Sequence, residues 1–437
     1  MESAYKFFGG EVNTKHPTES FFLQLWYLKR LGLWAPETDN KLIQTLYTIW
    51  SYFYRWFFLY LYTFTQIMFF TDVEDMMDVA EGFFLLMTQI TLLYKVEKFY
   101  SNRHRIKACE RILRSSLFCP QNEEEDAVIK ESMILTFTFG MAFLVPAVIT
   151  ISSWAIMPFF EEKMHLPIAA WYPYSTENPW IFTLTYIYQI YGILMSASFN
   201  VSTDTFASSM ISHANGQVQR LGIQLKKIGY SDGISNKDMK KDLKALRANY
   251  MTRENKIVKV DEQMKEINKK IDALKEKHGE NYGEVIRCIV YHENILSFCS
   301  EIQDIFKGPI FAQIMASTII ICMTCFLLVN QSSNPGAAAS SVSYLLTMVT
   351  QILLFCWIGN EVIYSSYRLT EQAYFSNFQS FDKKAAKALI LFMQRVSKDI
   401  NIMAGMIFEV TLSLPSFMGI MKSSYSYFAV LNTVQNK

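Results

Sequence analysis

The sequence predicts an all-α, seven-transmembrane-helix membrane protein, N-terminus cytosolic and C-terminus extracellular, with a cytosolic helical anchor bundle. Three observations carry this. Of 437 residues, 51% are apolar and 15% aromatic, and the apolar residues are gathered into long blocks. Seven of these blocks approach or exceed the length that crosses a bilayer. The connections between them alternate between rich in Lys and Arg and nearly bare of both.

The seven spans read as Leu46–Phe70, Ala80–Val96, Ile129–Met157, Trp180–Met210, Ile310–Val329, Val342–Tyr364 and Phe408–Leu431, the second short and the third and fourth long. Five basic residues precede span one: Lys6, Lys15, Lys29, Arg30 and Lys41. None lies between Thr71 and Val79, six lie between Glu97 and Ala127, and Lys163 is the only one between spans three and four. Eighteen lie from Arg220 to Lys307, none from Asn330 to Ser341, six from Ser365 to Met406, and only Lys437 follows span seven. Basic connections stay in the cytosol, which sets the orientation. The expected units are residues 1–215 (spans one to four), 216–308 (cytosolic anchor), 309–366 (spans five and six), 367–406 (a second anchor segment) and 407–437 (the last helix and a short tail).

From the front, MESAYKFFGG lacks the basic-then-apolar pattern of a cleaved signal. Phe21, Phe22, Leu25, Tyr27 and Leu28 read as a short amphipathic helix docked at the membrane interface. Arg55 sits inside span one, where it must snorkel or pair. Span three contains Gly140 and Pro146, which suggests a kink. The loop LPIAAWYPYSTENPW is either an ordered lid or an interfacial aromatic belt. Between Arg220 and Lys307, Ile257, Val260, Met264, Ile267, Ile271 and Leu274 recur at heptad spacing, as a helix hairpin or a coiled coil would require. Ser231-Asp232-Gly233 and Gly279 to Gly283 mark turns. Glu361 and Glu409 lie near cytosolic helix ends, solvated or paired with Arg368, Arg395 or Lys398. Asn330-Gln-Ser332 is a possible glycosylation acceptor close to the membrane.

The last block, Ile407 to Leu431, has only Glu409 and Lys422 as charges from Phe408 onward. Hydroxyls dot its length: Thr411, Ser413, Ser416, Ser423, Ser424, Tyr425, Ser426 and Tyr427. Phe428-Ala429-Val430-Leu431 then forms an apolar pinch ahead of Asn432 and Thr433. A spanning helix of this mixture faces water or another helix, and we read it as lining an ion pore.

Several classes are set aside. A near-zero net charge gives no reason to expect nucleic acid. No cofactor and no metal site are expected: six histidines are scattered, and H-E-x-x-H, G-x-x-x-x-G-K-[ST] and G-x-G-x-x-G are missing. Cys322 and Cys325 form a C-x-x-C inside an apolar run and read as buried small residues. A G-protein-coupled receptor would place its N-terminus outside and carry an arginine motif after span three. A transporter would show inverted repeats.

The stretch Gly359 to Val396, with Gly359-Asn360, Ala373-Tyr374 and Met393-Gln394-Arg395, followed by Tyr425-Ser426-Tyr427-Phe428, resembles the C-terminal region of insect odorant receptors. The resemblance is strongest over Tyr291–Leu431. It implies a subunit of a tetrameric, odorant-gated, non-selective cation channel in the plasma membrane of olfactory neuron dendrites. Its partners would be a volatile odorant, the lipid bilayer and odorant co-receptor subunits in a heterotetramer. The seventh helices would line the pore, with Val430 at the apolar gate and Asn432 and Thr433 at a polar constriction. The odorant pocket would lie in the outer half, walled by spans two, three, four and six, and Phe83, Met87, Thr150, Trp154, Tyr188, Tyr191, Tyr344 and Met348 are its candidate contacts. Related gustatory receptors, and less completely the co-receptor, place a Gln where this chain has Thr433. That departure favours a variable odorant-tuning subunit over the alternative, a gustatory-type homotetramer.

Overall fold

The computed structural model describes residues 21–35, 38, 40–71, 73, 76–159, 165–230, 257–330 and 335–435. The Ser231-Asp232-Gly233 turn and the loop after Asn330 lie outside the described residues.

Phe22–Arg30 forms α1. Phe21 and Leu28, two turns apart, are both fully buried, and the Phe21 ring sits 5.2 Å from that of Phe206 and edge-on to His213. The helix expected at the membrane interface is therefore docked into the protein core. Gly32 (φ +77°) turns the chain out of α1; a Cβ there would fall 2.7 Å from the Ser51 backbone, so only glycine fits.

Span one is Lys41–Arg55 (α2), a π-helical turn Trp56–Tyr60, and Leu61–Phe69 (α3). The Asn40 side chain caps α2 by accepting the Leu42 N–H at 3.0 Å. Leu42, Leu46, Ile49, Phe53, Trp56, Tyr60, Phe64 and Ile67 recur every three or four residues and are all exposed. An unbroken apolar stripe of this length is what a lipid-facing helix presents. Arg55 points the other way. It is 3% exposed, 2.9 Å from Glu97, with its guanidinium 3.8 Å from the Tyr100 ring centroid, so it is paired rather than snorkelling.

Spans two to six belong to Met76–Ser101 (α4), Glu123–Ile156 (α6), Pro179–Lys227 (α7), Glu280–Asn330 (α9) and Pro335–Tyr374 (α10), with Arg103–Leu113 (α5) between the first two. The helix α6 runs through Pro146 without interruption. Three of them, α6, α9 and α10, are long and apolar enough by composition alone to cross a membrane. At 49 and 51 residues, α7 and α9 extend roughly 75 Å, far longer than the thickness of a bilayer core. The extensions pack together around a buried ion pair, Arg220 Nε to Glu125 at 2.6 Å. Arg220 also donates to the Leu117 carbonyl at 2.8 Å and the Tyr291 hydroxyl at 3.2 Å.

The heptad segment is Ile257–His278 (α8). It folds back on α9 through Gly279 (φ +94°), with Ile271 buried at the seam, so the helix-hairpin alternative is the one realised. Lys383–Val396 (α11) follows, its start capped by Asp382, and Ala385, Leu389, Phe392 and Val396 face inward at helical spacing.

The terminal helix starts later than its composition suggests. Residues Met403–Gly405 (β1) and Glu409–Thr411 (β2) form a small antiparallel hairpin, and the helix is Leu414–Gln435 (α12). The start at Phe408 is corrected by about two turns. Ser413 supplies the physical stop: its Oγ accepts the Ser416 N–H at 3.4 Å, and Pro415 stands in the first turn, where its missing N–H costs nothing. The Gly359-Asn360 motif seats this junction. Asn360 Oδ1 accepts the Leu414 N–H at 3.5 Å, and a Cβ on Gly359 would collide with the Leu412 carbonyl.

Candidate functional site: an enclosed cavity and the terminal helix

Four helices, α4, α6, α7 and α10, surround a partly open cavity at the end of the bundle nearest residues 165–178. The centre of a water-sized sphere can move through about 80 Å³ of it, against the roughly 10–15 Å³ that one water requires. Leu85, Leu92, Phe143, Ile151, Trp154, Ile193, Tyr344 and Met348 make its walls mainly apolar.

Polar groups in the walls mostly satisfy one another. The Thr88 and Tyr344 hydroxyls share a 2.6 Å hydrogen bond, Ser196 donates to Gln89 Oε1 at 3.3 Å, and the Thr150 hydroxyl meets that of Thr347 at 3.3 Å. Gln66 is the exception. It is 2% exposed, lines the cavity from span one, and neither of its amide atoms has a hydrogen-bond partner among the described residues. An unpaired buried amide of this kind is uncommon and calls for a partner, a water or a ligand atom.

The loop expected as a lid or a belt covers the cavity. Gln189 grips Ile168 through both its backbone N–H and carbonyl at 3.0 Å, Trp171 N–H donates to the Thr65 carbonyl at 3.0 Å, and the buried Ile168 side chain lines the chamber.

Of the eight residues singled out in the sequence, Thr150, Trp154, Tyr344 and Met348 line this cavity. Phe83 is half-buried on α4 beside Phe84, whose ring packs 5.1 Å from Tyr344. Met87 packs against the same apolar cluster. Tyr188 and Tyr191 turn toward span one: the Tyr188 hydroxyl donates to the Phe57 carbonyl at 3.2 Å, and the Tyr191 hydroxyl meets Tyr54 at 2.7 Å. The sequence reading missed Gln66, Gln89, Ser196 and Asn200. Each is a lone amide or hydroxyl in an apolar block, the kind of residue that is costly in a membrane unless used.

Beneath the cavity, Asn200 joins it to a buried charged network. Lys95 Nζ lies 2.9 Å from both Asp204 carboxylate oxygens, donates to Gln313 Oε1 at 2.7 Å, and bonds Asn200 Oδ1. Gln351 donates to Asp204 and accepts from Gln313 Nε2 at 2.8 Å. Lys95 and Asp204 are each 3% exposed, and spans two, four, five and six all contribute.

The terminal helix packs against α9, where Ser424 donates to the Thr318 carbonyl at 3.1 Å. Its other side is bare. Met418, Tyr425, Tyr427 and Val430 are exposed, Val430 at 62%. Thr433 is exposed and bonds its own helix at the Ala429 carbonyl, and Asn432 is half-buried. Arg395 approaches Glu293 at 3.8 Å, not Glu361 or Glu409, and Glu409 is an exposed residue of β2. Among the described residues no cluster of His, Cys, Asp or Glu could hold a metal ion, and none of the seven cysteines is joined in a disulfide.

A sequence model described as 7tm Odorant receptor matches residues 75–425. The chain is 39% identical over 420 residues to odorant receptor Or1 of Anopheles gambiae, covering 96% of both, and 22% identical over 426 residues to odorant receptor 46a, isoform B, of Drosophila melanogaster, covering 96% and 100%. It superposes on the insect olfactory receptor OR5 from Machilis hrabei in complex with eugenol with a TM-score of 0.76 at 12% identity, covering 96% of this chain and 99% of that one. The chain belongs to the 7tm odorant receptor family.

Proposed function

We propose that this protein is the ligand-binding subunit of an odorant-gated, non-selective cation channel, assembled with co-receptor subunits as a heterotetramer in the dendritic membrane of an olfactory neuron. Family membership sets the enzyme class aside. The observation that carries the ligand reading is the covered, mainly apolar cavity with one unpaired amide, Gln66. It suits a compact apolar molecule bearing one hydrogen-bonding group. Burial contributes about 2.5 kcal/mol per 100 Å² of apolar ligand surface, and the single polar contact sets orientation.

In this reading the N-terminus is cytosolic, the C-terminus is extracellular, and the cavity occupies the outer half of the bundle. The bare face of α12 supports its role as the pore wall: exposed Tyr425, Tyr427 and Val430 need neighbouring subunits to cover or confine them. Val430 side chains, brought together in an assembly, form an apolar collar that excludes water and ions until it is rotated aside. Asn432 and Thr433 follow with neutral dipoles that discriminate weakly among monovalent cations.

The test is to record currents from cells expressing this chain with and without the co-receptor across a panel of volatiles. Odorant-evoked cation current that requires both chains, and whose potency shifts in Trp154→Ala at normal surface level, is expected. No response to any volatile from a complex present at the surface, or currents indifferent to substitutions throughout the cavity wall, overturns the proposal.

A further inference from the structure

A second cavity lies back to back with the first, between α6 and α7 and above α1. At about 100 Å³ on the same measure it is slightly larger. Ala147, Ile151, Ala197 and Val201 line both, so a single layer of side chains divides them. Among the described residues the second cavity is not closed by protein. Its lining residues Val148 and Leu194 are 50% and 43% exposed, on two helices that cross the bilayer. It is a crevice open to the lipid side, and from Gly140 to Ile151 it follows twelve residues of α6, about 16 Å.

Its chemistry is specific. None of its described lining residues is charged. Its hydroxyls are largely turned back on their own helix: Ser198 donates to the Leu194 carbonyl at 2.7 Å and Thr205 to the Val201 carbonyl at 2.6 Å. Gln24, at the α1 end, is 6% exposed, and its Oε1 has no hydrogen-bond partner among the described residues. A buried acceptor left without a donor is unfavourable, and a ligand that brings a donor relieves it.

We propose that this crevice binds a neutral membrane lipid with a single hydroxyl head, of the sterol type. The lipid enters between α6 and α7 from the bilayer and donates its hydroxyl to Gln24 Oε1. Its rigid apolar body lies along the small residues Gly140, Ala147, Ala197 and Ser198. A phospholipid head, charged and bulky, finds no charged partner in the lining. Because the dividing layer is one side chain thick, occupancy of the crevice sets how far Ile151 and Val201 lean into the first cavity. That last consequence rests on the ligand reading above; the binding site does not.

The experiment uses the full-length chain in cell membranes and a photoactivatable cholesterol analogue, with labelled peptides identified by mass spectrometry. Labelling is expected within residues 137–151 or 194–205, competed by excess cholesterol and not by phosphatidylcholine. It should fall at least fivefold in Gln24→Leu, which keeps the side chain's bulk and removes the acceptor. It should fall similarly in Gly140→Leu: a Cβ there meets only Gln24 and Thr205 atoms at 3.9 Å, so the longer side chain grows into the crevice without touching the first cavity. Labelling that phosphatidylcholine competes equally well, that scatters over other spans, or that persists undiminished in Gln24→Leu overturns the proposal. If Gly140→Leu does not reach the surface, the Gln24→Leu comparison decides alone. The readout needs no odorant response, so its failure is distinct from failure of the channel reading.

Discussion

Replacing Lys95 with Met removes the ammonium at the centre of the network beneath the cavity and keeps the length of the stem. The geometry sets the cost. Asp204 loses the cation that contacts both its oxygens at 2.9 Å and retains only the Gln351 amide. Gln313 Oε1 loses its 2.7 Å donor. Leaving one buried charge without its partner costs about 3–5 kcal/mol, and an orphaned neutral acceptor adds about 1–3 kcal/mol. The sum, roughly 4–8 kcal/mol, rivals the whole stability of many domains. Lys95→Met should therefore fail to reach the surface, or should lose its oligomer peak in detergent at a far lower temperature by fluorescence-detected gel filtration. The paired change Lys95→Met with Asp204→Leu removes both charges and should recover at least half of the loss, because a buried pair exchanged for apolar side chains is close to neutral. Wild-type thermal stability in Lys95→Met, or a double variant worse than either single one, would refute the view that the two charges are held by each other.

Three further outcomes are expected. Gln66→Leu should weaken the response to ligands bearing a hydrogen-bonding group by about tenfold, worth about 1.4 kcal/mol, and leave hydrocarbon ligands unaffected or improved, read as half-maximal concentrations. Val430→Ser should raise current without ligand severalfold at equal surface expression, since a hydroxyl collar stays wet; an unchanged basal current would argue for simple packing. His292, buried edge-on to the Phe392 ring, has its imidazole pKa held down to about 4 by burial and by the nearby Arg395, against a smaller opposing effect of Glu293. Between pH 6.5 and 4 the unfolded chain takes up a proton that the folded chain refuses, so stability falls as the pH falls through that window. The detergent-solubilised melting temperature should drop from pH 7 to pH 5, and His292→Phe should reduce the drop; an identical slope would remove His292 from the account.

The long helices were legible because apolar blocks of that length announce themselves, and the α8–α9 hairpin because Gly279 follows a heptad seam. The start of α12 was readable in principle from Ser413 and Pro415, but apolar content overrode the cap signal across Phe408 to Leu412. Tyr188 and Tyr191 lie outside the chamber lining for a reason of helical phase. The face of α7 that meets it carries Ile193, Ser196, Ala197, Asn200 and Val201, whereas the more conspicuous Tyr188 and Tyr191 point toward span one. Aromatic residues drew attention that small and amide residues deserved. The charged network was illegible because its members, Lys95, Asn200, Asp204, Gln313 and Gln351, are scattered over more than half the chain and meet only through tertiary packing.

At Gly359 the backbone of α10 rests against the carbonyl of Leu412, two residues before the terminal helix begins. Eleven residues along the same α10 rod stands Met348, in the cavity wall. A fulcrum made of bare backbone has no rotamer to absorb play. A methyl group at that one contact should therefore push the root of α12 away from α10, while the cavity wall eleven residues along the rod keeps its shape.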